Sequence, residues 1–337
     1  MFQLTFSPEC SSQSEVENFI KQVTLGKPIE LQTSGSTGTP KILTYPSNLL
    51  RRSARKTNDF FEFTKKTRAL LCLNLNAIAG KMMVMRAMEG DFNIHIVTAS
   101  KRPLEFVETE IDFVAMVPLQ LRESIKHDIE KLKKIKTILV GGGPISNELQ
   151  KRLLKHDLTI YHSFGMTETV SHIALKKIGK ESDEGFKALN GVHFSTKDGQ
   201  LVIHAEDLGI EDLVTNDLVN LLSPTTFQWL GRKDFVINSG GYKVHPELLE
   251  NRWSEFLELP FFIWKEQSVK WGEKIVLYIE GTDWPTIDKK ELLQRFKSYE
   301  IPKAYYLIDA FVYTETGKIN RLKTVVQTSK IRREEAF

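Results

Sequence analysis

Short apolar runs that lead directly into glycine constrain the fold of this chain more than any other feature. Residues 138–140 run straight into the glycines at 141–143, and residues 158–161 are soon followed by Gly165. Continuous apolar runs of this length are typical of parallel strands that are buried on both faces. A strand that ends in a glycine turn before a helix belongs to an open α/β sheet, whose ligands bind outside the carboxyl ends of the strands. The sequence therefore predicts an α/β fold with a ligand site at these two turns.

The remaining pattern divides the chain into a large and a small predicted domain. Further buried strands are expected near 69–73, 93–97 and 113–117, with helices near 46–63, 79–88 and 120–132. Residues 192–227 combine glycines, Asp/Asn turns and short alternating runs, which indicate a β-rich segment. From residue 234 onward, helices are expected near 246–256 and 287–296, and strands near 261–264, 275–279 and 305–308. We therefore predict a large domain at 1–232, with open α/β sheet layers and a β-rich segment, and a small α+β domain at 233–337.

A segment rich in glycine and hydroxyl groups near the start of the chain predicts a phosphate-binding loop. Its candidate contacts are Thr33, Ser34, Gly35, Ser36, Thr37, Gly38 and Lys41. Glycine lets the backbone approach a ligand closely, and successive backbone N–H groups can surround an anion. The spacing differs from the Walker loop, because Lys41 is followed by Ile42 rather than by a hydroxyl residue. An ordinary polar turn is the alternative.

Length, charge and cysteine content exclude several classes of protein. The 337 residues allow about two domains. The 46 basic and 43 acidic residues leave a net charge of only +3, which gives little support for a nucleic-acid-binding surface. Cys10 and Cys72 do not make a disulfide framework. No segment reads as a signal peptide or approaches the roughly 20 apolar residues that span a bilayer. We expect a cytoplasmic protein with neither a nucleic-acid nor a membrane partner.

A series of further segments, in a fixed order, resembles the motifs of the adenylate-forming superfamily. That superfamily includes acyl- and aryl-CoA synthetases, luciferases and the adenylation domains of peptide synthetases. After the phosphate loop come an adenine-side loop at 141–144, a [YF]-G-x-T-E motif at 164–168, a T-G-D-like motif at 215–217, a hinge at 231–234, a glycine loop at 240–246 and a lysine loop at 316–321. Asn216 replaces the glycine of T-G-D, and Asn tolerates left-handed backbone better than most residues. The resemblance runs from about residue 31 to residue 321.

The resemblance implies that ATP activates a carboxylic acid as an acyl-adenylate and that the acyl group then passes to coenzyme A, with release of AMP. Two anions must meet in this reaction, so matching positive charge in the site can contribute most of the acceleration. The resemblance places Mg²⁺ on Glu168, the α-phosphate on Thr167, and the carboxylate and α-phosphate together on Lys318. The alternatives are a solvated helix-cap acid for Glu168 and an ordinary surface lysine for Lys318.

The resemblance also implies the contacts of the nucleotide. Phe164 would stack on adenine, Asp217 would accept hydrogen bonds from the ribose hydroxyls, and Arg232 would assist from the other side. Core packing is the alternative for Phe164. Further candidate nucleotide contacts are Gly142, Gly143, Pro144, Ser163 and Gly165.

The small domain is implied to swing about a hinge at Asp234 between the two half-reactions. The swing would carry the Lys318 loop away and bring the Gly240–Gly241 pair to the site. These glycines would let the pantetheine arm of coenzyme A pass close to the backbone. A simple hairpin turn is the alternative for the pair.

The front of the chain departs from the superfamily pattern. Full-length relatives carry a larger subdomain before the phosphate loop, which this chain reaches at Thr33. The resemblance therefore implies an N-terminally shortened large domain with an exposed sheet edge. A helix on that edge or a homodimer contact would cover it.

Residues 78–87 and 166–175 also resemble the o-succinylbenzoate–CoA ligases of menaquinone biosynthesis. That acid has two carboxylates, and the one that is not activated must be held away from the phosphorus. A guanidinium pairs with a carboxylate through two parallel hydrogen bonds. Arg86 is therefore the candidate ligand, with Ser171 and His172 as polar helpers. The alternative for Arg86 is a surface or ion-paired arginine.

Other functions stay open from the sequence. The protein could be another aryl- or acyl-CoA ligase, or an adenylation protein that loads a carrier protein. It could also be a non-catalytic module that binds AMP or ATP without turnover.

Overall fold

A computed structural model describes residues 2–32, 42–179, 185–314, 319–327 and 331–335. Along the first half of the chain the elements are β1 (Leu4–Phe6), α1 (Gln13–Thr24), β2 (Ile29–Gln32), β3 (Ile42–Tyr45), α2 (Ser47–Phe60), β4 (Arg68–Leu71), α3 (Ile78–Gly90), β5 (Asn93–Ile96), β6 (Phe113–Met116), α4 (Pro118–His127), α5 (Ile129–Leu132), β7 (Thr137–Val140), α6 (Asn147–Leu153) and β8 (Ile160–Gly165). The antiparallel strands that follow are β9 (His172–Ile178), β10 (Phe186–Ala188), β11 (His193–Lys197), β12 (Gln200–Ala205), β13 (Ile210–Ser223) and β14 (Thr226–Arg232).

One sheet runs through this part of the molecule in the order β1-β5-β4-β6-β7-β8-β9-β10-β14-β13-β12-β11. Along this order, neighbouring strands between β1 and β8 pair in parallel. The strands from β8 to β11 pair antiparallel. The predicted α/β fold is therefore confirmed, and the β-rich segment forms the antiparallel half of the same sheet.

Both faces of the parallel half are buried, as its continuous apolar runs predict. Ala69 and Leu71 of β4 face the cluster that contains residues of α1, α2 and α3. Leu70 between them faces the opposite cluster, which contains residues of α4, α5 and α6. This alternation follows from the two-residue period of a strand.

Two details differ from the sequence expectation. The helix expected at 120–132 is divided into α4 and α5 at Asp128, whose backbone N–H closes α4 on the carbonyl of Ser124. The exposed edge implied by the resemblance is at β1, which pairs only with β5 among the described strands. Helix α1 buries Val16, Phe19 and Val23 in the core beside it. The homodimer contact stays a prediction.

The small unit is α+β, as predicted. Its elements are β15 (Ile237–Ser239), β16 (Tyr242–Val244), α7 (Pro246–Trp253), β17 (Phe261–Ser268), β18 (Gly272–Glu280), α8 (Lys289–Arg295), β19 (Ala304–Ile308), α9 (Arg321–Gln327) and β20 (Ile331–Glu335). Its sheet has the order β16-β15-β18-β19-β20, with β17 also paired to β18. Its clusters share no residue with those of the large sheet. The domain limits at 232/233 stay a prediction. No described helix is both long and apolar enough to cross a membrane.

Candidate active site

The carboxyl ends of β7 and β8 bring the predicted adenine-side residues together. Gly142 has a φ of +79°, a conformation that favours glycine. A Cβ on Gly141 would lie 2.5 Å from Ser163 Oγ, so the loop rests directly on β8. His162 Nε2–H donates to the carbonyl of Gly143 at 3.0 Å. Burial lowers the pKa of His162 to about 4, so the imidazole stays neutral and serves as a fixed donor. Pro144 follows this loop directly.

Phe164 and Gly165 continue β8 towards the candidate acid pocket. The ring of Phe164 is partly buried and lies 5.0 Å, centroid to centroid, from Phe227. One side of Phe164 therefore packs on the core, and adenine stacking stays a prediction for the other. A Cβ on Gly165 would lie 2.4 Å from the carbonyl oxygen of Ser171 and from His172 Cα. Only glycine allows β8 and β9 to approach this closely.

The turn that carries Thr167 and Glu168 is held tightly. Thr169 Oγ1 donates to the carbonyl of Ser171 at 2.6 Å. Val170 has a φ of +64°, although a β-branched residue rarely adopts this backbone region. Such strain persists only where surrounding contacts enforce it, and it is concentrated at functional sites. The strained residue leads directly into Ser171 and the start of β9.

Glu168 fits the donor set that Mg²⁺ prefers. Burial, and then the charge of Glu168, raise the pKa of Tyr45 at the end of β3. No group of three His, Cys, Asp or Glu side chains forms a metal cluster among the described residues. Mg²⁺ usually keeps several waters and binds one or two carboxylates plus substrate phosphates, which a single glutamate satisfies. The phosphate loop at 33–41 and Lys318 lie outside the described residues, so their roles stay predictions.

The predicted ribose ligands lie opposite each other on β13 and β14. Asp217 is the register partner of Arg232. Thr215 Oγ1 accepts a hydrogen bond from the backbone N–H of Asp217 at 3.1 Å. Asn216 lies within β13 and does not have a positive φ. The expectation that its tolerance of left-handed backbone matters is therefore wrong, since an extended strand accepts either residue.

Trp229 is a contact of Asp217 that no motif indicated. Its indole N–H donates to Asp217 Oδ1 at 2.8 Å and fixes one carboxylate oxygen. We expect Trp229→Phe to raise the KM for ATP roughly fivefold, the effect of losing one such hydrogen bond. The KM for dATP, which lacks the 2′-hydroxyl of the ribose, should rise less in the same variant. An equal response to ATP and dATP would show that Trp229 does not act through ribose binding.

Arg86 lies inside the protein rather than on its surface. It is 2% exposed, in the middle of α3. Its Nη2 donates to Ser171 Oγ at 3.1 Å and to His172 Nδ1 at 3.3 Å. Its Nη1 contacts Met83 Sδ at 3.6 Å, and its Nε has no partner among the residues that the structure describes. The alternative of a surface arginine is therefore wrong, and no carboxylate among the described residues pairs with Arg86.

Burial determines the charge state of this group of side chains. It lowers the pKa of Arg86 to about 9, which still leaves the guanidinium protonated near neutral pH. Burial, and then the charge of Arg86, lower the pKa of His172 well below its usual value. This buried group therefore holds the positive charge of Arg86 beside the neutral side chains of His172 and Ser171.

The glycine pair of the small unit is a hairpin turn. Gly240 and Gly241 have φ values of +58° and +86° and connect β15 to β16. Two positive φ values are those of the tight hairpin turn that matches strand twist. A Cβ on Gly240 would lie 2.8 Å from the ring of Trp271. The turn explains both glycines by itself, and passage of pantetheine stays a prediction.

The predicted hinge residue Asp234 is hydrogen-bonded to Arg232, the last residue of β14. Asp234 accepts two hydrogen bonds from the Arg232 guanidinium, at 3.1 and 3.2 Å. The backbone N–H of Arg232 donates to Glu247 of α7 at 3.4 Å. Arg321, at the start of α9, pairs with Glu250 at 2.7 Å. Of these contacts, only those of Arg232 cross the predicted boundary at 232/233, because Arg321 and Glu250 both lie in the small unit.

The comparisons with known proteins agree with this geometry. A family model described as AMP-binding enzyme matches residues 31–193. The 2-succinylbenzoate–CoA ligase of Staphylococcus epidermidis is 27% identical over 325 residues, covering 86% of this chain and 68% of the relative. The Staphylococcus aureus enzyme of that name is 26% identical, covering 86% of this chain and 65% of the relative. The chain thus spans about two thirds of the length of these relatives.

Comparison with solved structures also finds acyl-CoA synthetases. The o-succinylbenzoate CoA synthetase from Bacillus subtilis, in complex with its acyl-adenylate intermediate, has a TM-score of 0.79 and 20% identity, covering 91% of this chain and 70% of that one. An acyl-CoA synthetase (AMP-forming)/AMP-acid ligase II-like protein from Dyadobacter fermentans has a TM-score of 0.63 and 33% identity, covering 95% of both chains. The chain therefore belongs to the AMP-forming acyl-CoA synthetases, a family of adenylate-forming, AMP-binding enzymes.

Proposed function

We propose that this protein is an o-succinylbenzoate–CoA ligase. It would activate the succinyl carboxylate with ATP and transfer the acyl group to coenzyme A, with release of AMP. The staphylococcal relatives that match along 86% of the chain carry this activity in their names. The observation that carries the choice of acid is the buried Arg86.

The environment of Arg86 favours an acid with two carboxylates. A buried charge is costly unless it is paired and hydrogen-bonded. Ser171 and His172 are neutral acceptors, and the Nε–H of Arg86 has no partner in the structure. The benzoate carboxylate would supply both the missing charge and the missing acceptor. A monocarboxylic acid would leave the guanidinium uncompensated.

We infer that the adenylation half-reaction takes place outside the carboxyl ends of β7 and β8. Asp217, fixed by Thr215 and Trp229, would hold the ribose, while Phe164 would lie against adenine. Thr167 would hydrogen-bond the α-phosphate. When bound at Glu168, Mg²⁺ would neutralise phosphate charge. Lys318 would bring the succinyl carboxylate to the phosphorus.

A surface of the small unit would bind the nucleotide end of coenzyme A. Tyr242 and Tyr299 stack with ring centroids 4.1 Å apart, next to the Gly240–Gly241 turn. Lys270 Nζ and Lys303 Nζ lie 5.1 and 5.5 Å from the ring centroid of Trp271. Burial, and then the charge of Lys270, lower the pKa of Lys303, as expected for cations held close together. Aromatic rings beside paired cations suit a phosphorylated adenosine.

We expect Lys270→Ala to raise the KM for coenzyme A roughly threefold, because exposed charge pairs contribute only up to ~1 kcal/mol. The effect should weaken with added salt, since salt screens exposed charges. Pyrophosphate exchange with ATP and acid should be unchanged. An unchanged KM for coenzyme A at low salt would exclude this surface.

ATP–pyrophosphate exchange against a panel of acids tests the proposed function. We expect exchange with o-succinylbenzoate in preference to benzoates and fatty acids, followed by formation of the CoA thioester. Exchange restricted to monocarboxylic acids would favour another acyl- or aryl-CoA ligase. Absence of exchange with every acid would favour a nucleotide-binding module. Adenylation without transfer to coenzyme A would favour an enzyme that loads a carrier protein.

A further inference from the structure

We propose that Thr57 is a positioning residue for Arg86, which it controls through the tautomer of His172. It would thereby set the affinity for the carboxylate that is not activated. This inference rests on the proposed function, because it concerns the same acid pocket.

Thr57 contacts the nitrogen of His172 that faces away from Arg86. Thr57 lies in α2 and is fully buried. Its Oγ1 lies 3.4 Å from the carbonyl oxygen of Ser53 and 3.1 Å from His172 Nε2. The guanidinium of Arg86 only donates, so His172 Nδ1 accepts its Nη2–H and the imidazole proton is on Nε2. Thr57 Oγ1 then accepts from His172 Nε2–H and can give its own proton to the carbonyl of Ser53.

The position of that proton decides what Arg86 meets. With Nε2 protonated, Nδ1 carries a lone pair and accepts the Nη2–H of Arg86 at 3.3 Å. The other tautomer would place an N–H against the N–H groups of the guanidinium. The Thr57 hydroxyl supplies the acceptor that this tautomer needs at Nε2, and it thereby favours the form of His172 that accepts from Arg86.

The same helix also fixes the backbone of Arg86. Asn58 Nδ2 donates to the Arg86 carbonyl at 2.9 Å. Consecutive residues of α2 therefore hold both the backbone and, through His172, the guanidinium. The plane of the guanidinium is set before the acid arrives, so its Nε–H has a fixed direction. Groups held in place in advance lose less entropy on binding, which strengthens binding.

Two substitutions at Thr57 separate the hydroxyl from the packing. Thr57→Val keeps the shape and removes the acceptor, whereas Thr57→Ser keeps the acceptor. In Thr57→Val we expect the KM for o-succinylbenzoate to rise roughly fivefold, the effect of one misplaced hydrogen bond. The KM for ATP should be unchanged, and Thr57→Ser should restore the wild-type value. Ser124→Ala, which removes a buried hydroxyl of α4, is the matched control and should change none of these values.

A second acid distinguishes positioning from general packing. The analogue with hydrogen in place of the benzoate carboxylate has nothing to pair with Arg86. Its KM should therefore be the same in the wild type and in Thr57→Val. A rise that is equal for both acids would show that Thr57 only supports the packing, and no rise for either would also overturn the proposal.

Nitrogen NMR of His172 tests the relay without any turnover. We expect the Nε2–H tautomer in the wild type and in Thr57→Ser, and a mixture of tautomers in Thr57→Val. Observation of the Nδ1–H tautomer in the wild type would overturn the relay, whatever acid the enzyme uses. If the wild type shows the expected tautomer but does not adenylate o-succinylbenzoate, the proposed substrate fails and the relay stands.

Discussion

Replacing Arg86 with methionine is expected to abolish use of o-succinylbenzoate and, at the same time, to stabilise the protein. Loss of one partner from a buried charge pair costs ~2–5 kcal/mol, so kcat/KM for adenylation should fall roughly a thousandfold. A buried guanidinium without a carboxylate is itself costly, and apolar replacement of such groups is often stabilising by ~1–4 kcal/mol. Exchange kinetics and denaturant unfolding measure the two effects.

Two variants serve as controls for Arg86→Met, one at the same position and one at an exposed arginine. Arg86→Lys keeps the charge but loses the planar pair of donors, so it should restore only part of the activity. Arg55→Met removes an arginine whose side chain is 61% exposed and should change neither activity nor stability substantially. Undiminished adenylation by Arg86→Met would refute the assignment of Arg86. A large loss of stability would show that an anion already compensates the charge in the free protein.

Replacing Lys318 with alanine is expected to separate the two half-reactions. Removal of one group that stabilises transition-state charge costs about 10²–10³ in rate, so adenylate formation should fall by at least that factor. Thioester formation from a preformed acyl-adenylate and coenzyme A should be spared, because the small domain would have swung about Asp234 by then. Single-turnover measurements with synthetic acyl-adenylate isolate this second step.

A lysine nearby supplies the control for this separation. Lys323 lies in α9 with its side chain exposed, so Lys323→Ala should leave both half-reactions intact. Equal losses of adenylation and thioester formation in Lys318→Ala would contradict a site that uses two domain positions.

The ends of the β7 and β8 strands could be predicted from the sequence because the relevant signals are local. An apolar run followed by glycine specifies the end of a buried strand, as at Val140 and Gly141. Parallel strands place such ends at one edge of the sheet. The burial of Arg86 also had a local signal, since it lies within the apolar run Met82–Met85 and Ala87 of α3. A helix that is apolar on all sides is buried, and so is the arginine that it carries.

The residues that the sequence did not reveal act through long-range contacts. Thr57 contacts His172, which is 115 positions away in the sequence. Trp229 is aromatic, and a sequence pattern does not distinguish such a residue from one that only packs in the core. His162 and Tyr45 lie in strands β8 and β3, and the apolar periodicity of a strand does not indicate which of its polar side chains contact the site. The strain at Val170 also depends on contacts across the β8–β9 turn. Such roles follow from the pairing of elements, which a local pattern does not specify.

The most direct test compares adenylation of two acids by the wild-type protein. The first is o-succinylbenzoate, and the second is the same molecule with hydrogen in place of the benzoate carboxylate. A site built to pair with a polar group strongly rejects a ligand that lacks it, so we expect kcat/KM for pyrophosphate exchange to favour the diacid by roughly a hundredfold or more. Equal values for the two acids would contradict the conclusion that Arg86 recognises a second carboxylate.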